Sequence, residues 1–283
     1  EIAMEAPRSL VGMIESHATK ERIKLPAFNA TALRIQKEVA KEDPDSRLIE
    51  RLIVSDQSLT GEVLRVSNSS FYKGLAQVTT IRDSLIRLGI KEVSNIVTLV
   101  ALQHNFVSKI PLLNQILKKL WRHSVGCGMG ANWIAKETPQ KAIAHESFIA
   151  GLLHDVGKLY ILKVIDGMVA SKEIVCPPSD TVINEVMENL HTDQGYSLMQ
   201  RWNLPEKYSL VARDHHAPKV DVNNPVLMLV RLANQMCHKM GIGLKSDPSI
   251  VLHATPEANQ LQLSEVDLAR LEVRLEDSHV FAG

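Results

Sequence analysis

The 283-residue sequence predicts an all-α protein, and three observations carry that prediction. Apolar residues recur at helical spacing, as at Phe148, Ile149, Leu152 and Leu153. The alternation that marks a half-buried strand is nowhere sustained. Turn-forming residues interrupt the chain at short intervals, so most helices should be short and joined by tight turns.

In chain order, residues 8–42 read as helical around a break at Pro26. Asp43-Pro44 opens DSRLIERLIVSD, with Leu48, Leu52 and Ile53 on its apolar side. Ser55-Asp56 introduces SLTGEVLRVSNSSFY, which stops at its Asn-Ser-Ser. Thr79-Thr80 caps IRDSLIRLGI, and Gly89 turns the chain into KEVSNIVTLVALQHNF. From Pro111 the segment LLNQILKKLWRHSVGCGMGANWIAKE reads as one long helix or a helix pair. Gly126, Gly128 and Gly130 weaken a helix individually, so a neighbouring helix should pack closely there. Ala142 to Tyr160 reads as a buried helix that presents His154 and Asp155, is ended by Gly157 in a left-handed cap, and is followed by Lys158. Pro177-Pro178 marks a loop, and Asp180 is the expected cap of TVINEVMENLHTDQGYSLMQRW. A segment from Leu204-Pro205 ends in ARDHHAP, and Pro225 starts VLMLVRLANQMCHKMGIG. Ser264 is the expected N-cap of SEVDLARLEVRLED.

Lysine plus arginine equals aspartate plus glutamate at 32 each, so no basic field announces nucleic acid. Two segments, SLTGEVLRVSNSS and DSLIRLGIKEVSNIV, imitate a helix-turn-helix but lack a basic recognition helix. Three widely spaced cysteines without a CxxC point to reduced thiols. No apolar run reaches the roughly 18 residues of a membrane helix, and no export leader is seen. A cytoplasmic protein without a membrane partner is expected.

Seven of the eleven histidines fall between positions 123 and 238. His123, His154 with Asp155, His191, His215 and His216 are the candidate metal set. Imidazole and carboxylate suit divalent Zn, Fe, Mn or Ni. Their spacing is too long for a local motif, so several helices must converge to build a site. His145 lies nine residues before His154, about 180° around a helix, and should face away. Cys127 can share the face of His123 but reads as a packing residue. Lys158 suits either a substrate phosphate or a solvated helix end. His17, His104, His253 and His279 are isolated, and His238 is left unassigned.

The order WRHS, LLHDVGK, HTDQG and DHHAP resembles the HD superfamily of metal-dependent phosphohydrolases. The sequence is more closely similar to the HD-related output domain (HDOD) family of bacterial signalling proteins. LPAFNATALRIQKEV, SLTGEVLRVSNSSFY and TTIRDSLIRLGIKEV match its N-terminal region, and the likeness spans about residues 22–240. The resemblance implies an N-terminal extension (1–21), a helical lobe (22–110), an HD-type helical bundle (111–240) and a helical tail (241–283). It implies His123 as the first histidine and His154–Asp155 as the dyad. At the superfamily's later aspartate this chain has Asn234, a neutral and poorer ligand. His191 and His215–His216 resemble the extra ligands of the branch that hydrolyses cyclic di-GMP. That branch continues with Gly-Tyr-Pro where this chain has Ala217-Pro218-Lys219, so cyclic di-GMP hydrolysis is not implied. The leading expectation is a signalling or regulatory module that meets a partner protein or a nucleotide. The alternative is a metal-dependent phosphohydrolase, with Asp155 and Lys158 as catalytic groups around a metal-activated water.

Overall fold

The computed structural model describes residues 9–20, 29–69, 71–72, 77–219 and 221–276, and among these there is no strand. The first helices are α1 (Leu10–Lys20), α2 (Ala30–Val39), α3 (Ser46–Val54), α4 (Gln57–Ser67), α5 (Ile81–Leu88) and α6 (Ile90–Gln103). Next come α7 (Pro111–Glu137), α8 (Ala144–Leu153), α9 (Val156–Ala170), α10 (Asp180–Arg201), α11 (Glu206–Asp214) and α12 (Pro225–Lys239). Two further helices, α13 (Pro256–Gln260) and α14 (Glu265–Glu276), end the described chain. Position His279 and most of the expected Pro26 break (21–28) lie outside the described residues.

Side chains start these helices where backbone N–H groups lack partners. Asp45 accepts from the amides of Arg47 and Leu48, Asp56 from Leu59, and Thr80 from Asp83. Ser264 and Asp267 cap one another reciprocally at the start of α14. The cap of α10 is Ser179 rather than Asp180, which occupies the first helical turn. An acid is favourable there against the helix dipole. Gly89, at φ 84°, turns α5 into α6.

The expected helix over Ala142–Tyr160 is two helices, and Gly157 does not end the first. Its backbone is not left-handed; the break falls at His154 and Asp155, whose backbones stay on the right-handed side at φ −55° and −100°. Gly157 lies in the first turn of α9 because α10 crosses there. A Cβ at this position would sit 1.9 Å from the carbonyl oxygen of His191.

The segment from Pro111 is one 27-residue helix. Its glycines admit two neighbours. A Cβ on Gly126 would meet the Cys237 sulfur of α12 at 2.9 Å, and one on Gly128 the Phe148 carbonyl of α8 at 3.1 Å. Helix α7 therefore packs extensively on both α8 and α12, and α9 packs on α10. Helices α2, α4 and α5 pack on α6, with α3 against those three, and α6 is buried at every side chain from Val93 to Val100. The DSLIRLGIKEVSNIV imitation therefore has these α6 side chains in the core rather than free for a groove. The tail returns: α13 packs on α12, and α14 on α7.

His145 faces away from the dyad, as its position on α8 requires, and its Nε2 lies 3.0 Å from Gln36 of α2. Burial pulls its imidazole from 6.5 down to about 4. Unfolded chains therefore take up a proton below pH 6.5 that the folded state refuses until about pH 4. Stability from this group is intact above 6.5 and falls as pH drops through that window. Between pH 7 and pH 5 the loss should be about 2 kcal/mol. Urea unfolding of wild type and His145→Gln at both pH values reads it directly. The variant should lose less on acidification, and equal losses would show that another group is responsible.

Candidate metal centre

The junction of α8 and α9 delivers the Asp155 carboxylate into the bundle, only 2% exposed. Although Asp155 stands at the N-cap of α9, its side chain makes no capping bond. It points at imidazoles from four places in the chain. Oδ1 is 3.5 Å from Nε2 of both His191 and His215. Oδ2 lies 3.5 Å from Nε2 of His123, 3.6 Å from that of His154 and 2.8 Å from the Lys158 ammonium.

Each of these four histidines is fixed from behind. Nδ1 of His154 donates to the Gly151 carbonyl at 2.7 Å, that of His191 to Met187 at 2.7 Å, and that of His215 to Ala212 at 2.8 Å. His123 donates to Ile242 at 3.0 Å. With the proton held on Nδ1, Nε2 carries a bare lone pair aimed at the carboxylate. Acceptor thus faces acceptor. His154 Nε2 and Asp155 Oδ1 are both buried without a hydrogen-bond partner, an arrangement that is costly unless a cation comes between them.

The charge states agree with that reading. Burial pushes the His154 imidazole well below its ordinary value, lowers His123 and takes His191 to about 4. Burial alone would raise the Asp155 carboxyl, but the Lys158 ammonium leads the charges that hold it well below the usual carboxylate range. Neutral imidazoles and an ionised carboxylate are the ligating forms.

All six sequence-predicted residues lie in one neighbourhood. His216 sits at its exposed edge, with its ring 4.1 Å from that of His215 and 5.1 Å from that of His191. Asp155, His191, His215 and His216 can offer donor atoms within 4.8 Å of one another, as can His123, His154 and Asp155. Lys158 is no solvated helix end: it is 5% exposed and paired with Asp155. Asn234 is buried on α12 with its Oδ1 lacking a partner.

Sequence reasoning missed His238, which stacks on His123 with ring centroids 5.3 Å apart. Its position one turn beyond Asn234 was the available signal. Cys127 is a packing residue, as expected, but its sulfur also lies 3.6 Å from His123 Nε2. Together with Cys237 it forms a second, softer donor group that shares His123.

Two braces hold the edges. Arg231 of α12 donates to Glu257 at 2.6 Å, to the Ala217 carbonyl at 2.6 Å and to that of His215 at 3.4 Å, fixing the end of α11. Across the mouth runs the strap 241–245. Gly243, at φ 125°, lies so near that a Cβ would sit 2.8 Å from His123 Cβ. Lys245 closes the strap on Glu188 of α10 at 2.6 Å, and Glu188 is 3.9 Å from Lys158. The cavity left beneath, between His123, Asp155, Lys158 and His238, measures about 10 Å³.

An all-helical bundle that gathers neutral imidazoles around one ionised carboxylate defines a histidine–aspartate helical protein. Within that class the sequence profile of the HDOD domain matches residues 25–218, and the chain belongs to the HDOD family. An uncharacterised protein of Treponema pallidum (strain Nichols) is 28% identical over 223 residues, 74% of this chain. The chain spans about 41% of that relative's length. Among solved structures, an HDOD domain protein from Geobacter sulfurreducens is similar with a TM-score of 0.72 at 21% identity, covering 96% of this chain and 95% of that one. A candidate metal-dependent phosphohydrolase from Shewanella amazonensis SB2B gives 0.70 at 19%, covering 96% of both. A candidate signal transduction protein from Marinobacter aquaeolei VT8 gives 0.68 at 20%, covering 99% of this chain and 67% of that one. At these identities the likeness establishes the fold. No described helix is long and apolar enough to cross a membrane.

Proposed function

We propose that this protein is a cytoplasmic HDOD-type signalling module whose bundle holds a divalent ion, of Fe, Mn, Ni or Zn, among His123, His154, Asp155, His191, His215 and His216. Its output would be contact with a signalling protein. The proposed boundaries are the four given by the resemblance, with the bundle over 111–240. The observation that carries the regulatory reading is the closed mouth on the side of His123 and Lys158. A cavity of about 10 Å³ admits roughly one water molecule and no phosphate ester. Asn234, at the place of the superfamily's later aspartate, also brings no charge to the ion.

The second reading is a metal-dependent phosphohydrolase, favoured by the ionised Asp155 and the adjacent Lys158. A bound ion would there supply an activated water. Asp155 would help hold the ion, and Lys158 would offset phosphate charge. This needs the strap to lift, which the Lys245–Glu188 pair opposes.

Metal content of untagged, chelator-free protein, measured by inductively coupled plasma mass spectrometry, tests both. One or two equivalents are expected, lost in His154→Ala/Asp155→Ala. No bound metal, and none taken up on addition, would overturn both. Lys245→Ala then separates them. Phosphodiesterase turnover that rises in this variant supports the hydrolase; metal retention without turnover supports the regulatory module.

A further inference from the structure

The imidazoles of the candidate centre are not held alike. His123, His154, His191 and His215 are each fixed from behind through Nδ1. The His216 ring makes no hydrogen bond among the described residues and stands at the exposed edge, in contact with the rings of His191 and His215. Its place therefore depends on its backbone, in the turn that follows α11. Yet one of its nitrogens belongs to the group of donor atoms that lie within 4.8 Å of one another beside Asp155.

Backbone carbonyls at a helix C-terminus lack intrahelical partners and must find them elsewhere. Here the two that flank His216, those of His215 and Ala217, share one donor, Nη1 of Arg231, at 3.4 and 2.6 Å. On its other edge the same guanidinium donates through Nε to Glu257 Oε1 at 2.6 Å. A rigid planar fork sets both directions at once, which a flexible ammonium would not. The Glu257 side chain is 1% exposed and that of Arg231 12%. Each charge needs the other, and the pair keeps an uncompensated cation from standing behind the metal ligands.

Glu257 belongs to α13, in the tail that follows the bundle. Pro256 takes the first position of that helix, and Thr255 caps it by accepting from the Ala258 amide. Ala258 and Leu261 are buried, and α13 packs on α12. The tail thus delivers the carboxylate, while its effect falls on the turn that carries His216.

We propose that Glu257 and Arg231 are positioning residues through which the docked tail holds His216 in reach of the ion. With α13 seated, the side of the centre built from Asp155, His191 and His215 has a fourth ligand. With α13 displaced, that ligand swings out and three remain. The inference rests on the metal reading above and gives that centre its regulation: what moves the tail sets how tightly the ion is kept.

Competition between the full chain and a chromophoric chelator for Zn(II), used alone as the probe, tests it. Glu257→Gln should weaken Zn(II) binding about tenfold or more, the usual scale for losing an outer partner of a ligand. Arg231→Lys should do the same, because the fork is lost. His216→Ala should weaken binding to a similar degree. The double variant Glu257→Gln/His216→Ala should then bind no more weakly than His216→Ala, since both changes remove the same ligand. Arg231→Met/Glu257→Leu leaves no buried charge unpaired, guards against a single variant that fails to fold, and should also match His216→Ala. Losses that multiply in the Glu257→Gln/His216→Ala variant would mean general loosening and overturn the proposal. Unchanged affinity in Glu257→Gln or in His216→Ala, with wild type binding Zn(II), would overturn it too. No Zn(II) uptake by wild type would overturn the metal reading and this inference with it.

Discussion

Asp155→Asn is expected to empty the centre and to destabilise the metal-free protein. The amide keeps the shape but removes the one negative charge that faces four imidazoles, so metal content should fall from about one equivalent to under about a tenth. The second effect comes from Lys158, whose ammonium is 5% exposed and rests 2.8 Å from Asp155 Oδ2. Removing one partner of a buried pair leaves the other uncompensated, typically at about 3–5 kcal/mol. Glu188, 3.9 Å away and partly exposed, can take up part of that charge, so the lower end is expected. Replacing both partners, in Asp155→Asn/Lys158→Met, should return most of the stability but none of the metal. Urea unfolding beside metal analysis separates the two. Full stability in the single variant would mean that Lys158 had found water or another acid.

Gly157→Ala should be more damaging than any substitution of a ligand. Its new methyl would lie 1.9 Å from the His191 carbonyl oxygen, 2.7 Å from the carbonyl carbon and 2.6 Å from the Gly195 amide nitrogen. All three are backbone atoms, so no rotamer change relieves the clash and α9 must separate from α10. Overpacking of this kind costs about 1–3 kcal/mol where side chains can give way, and more is expected where they cannot. We expect a loss above about 4 kcal/mol or failure to accumulate soluble protein. His191 would move with its backbone, so any protein recovered should also lose metal. Gly195→Ala, whose nearest atom would be the Gly157 nitrogen at 3.3 Å, should be far milder. Similar damage from both would show that the helix pair is deformable and that the contact at Gly157 is not decisive.

Much of the fold was legible because its signals are local. Asp45, Asp56, Thr80 and Ser264 act within three residues of themselves, and periodic apolar faces declare helices without knowledge of their partners. Gly157 was misread for the opposite reason. Its role is set by an α10 carbonyl more than thirty positions away, and a glycine that ends a helix looks the same as one that lets another helix approach. The candidate site divides in the same way. His154 and Asp155 announce themselves as costly groups in an apolar run, and the spaced histidines carry a recognisable order. Their convergence on one carboxylate is a property of packing and could only be expected. His238 stayed unassigned because its place one turn beyond Asn234 is a weak signal, and its stacking on His123 depends on how α12 crosses α7. Lys158 could not be assigned because its burial, not its neighbours in sequence, decides its partner.

The strap over the mouth has a consequence for exchange. An ion seated behind Gly243 and the Lys245–Glu188 tie would reach solvent on the His123 side only as often as those five residues swing aside, which leaves the exposed edge at His216 as its other route. Residence time would then depend on a loop motion on one side of the centre and on the hold of a single exposed imidazole on the other.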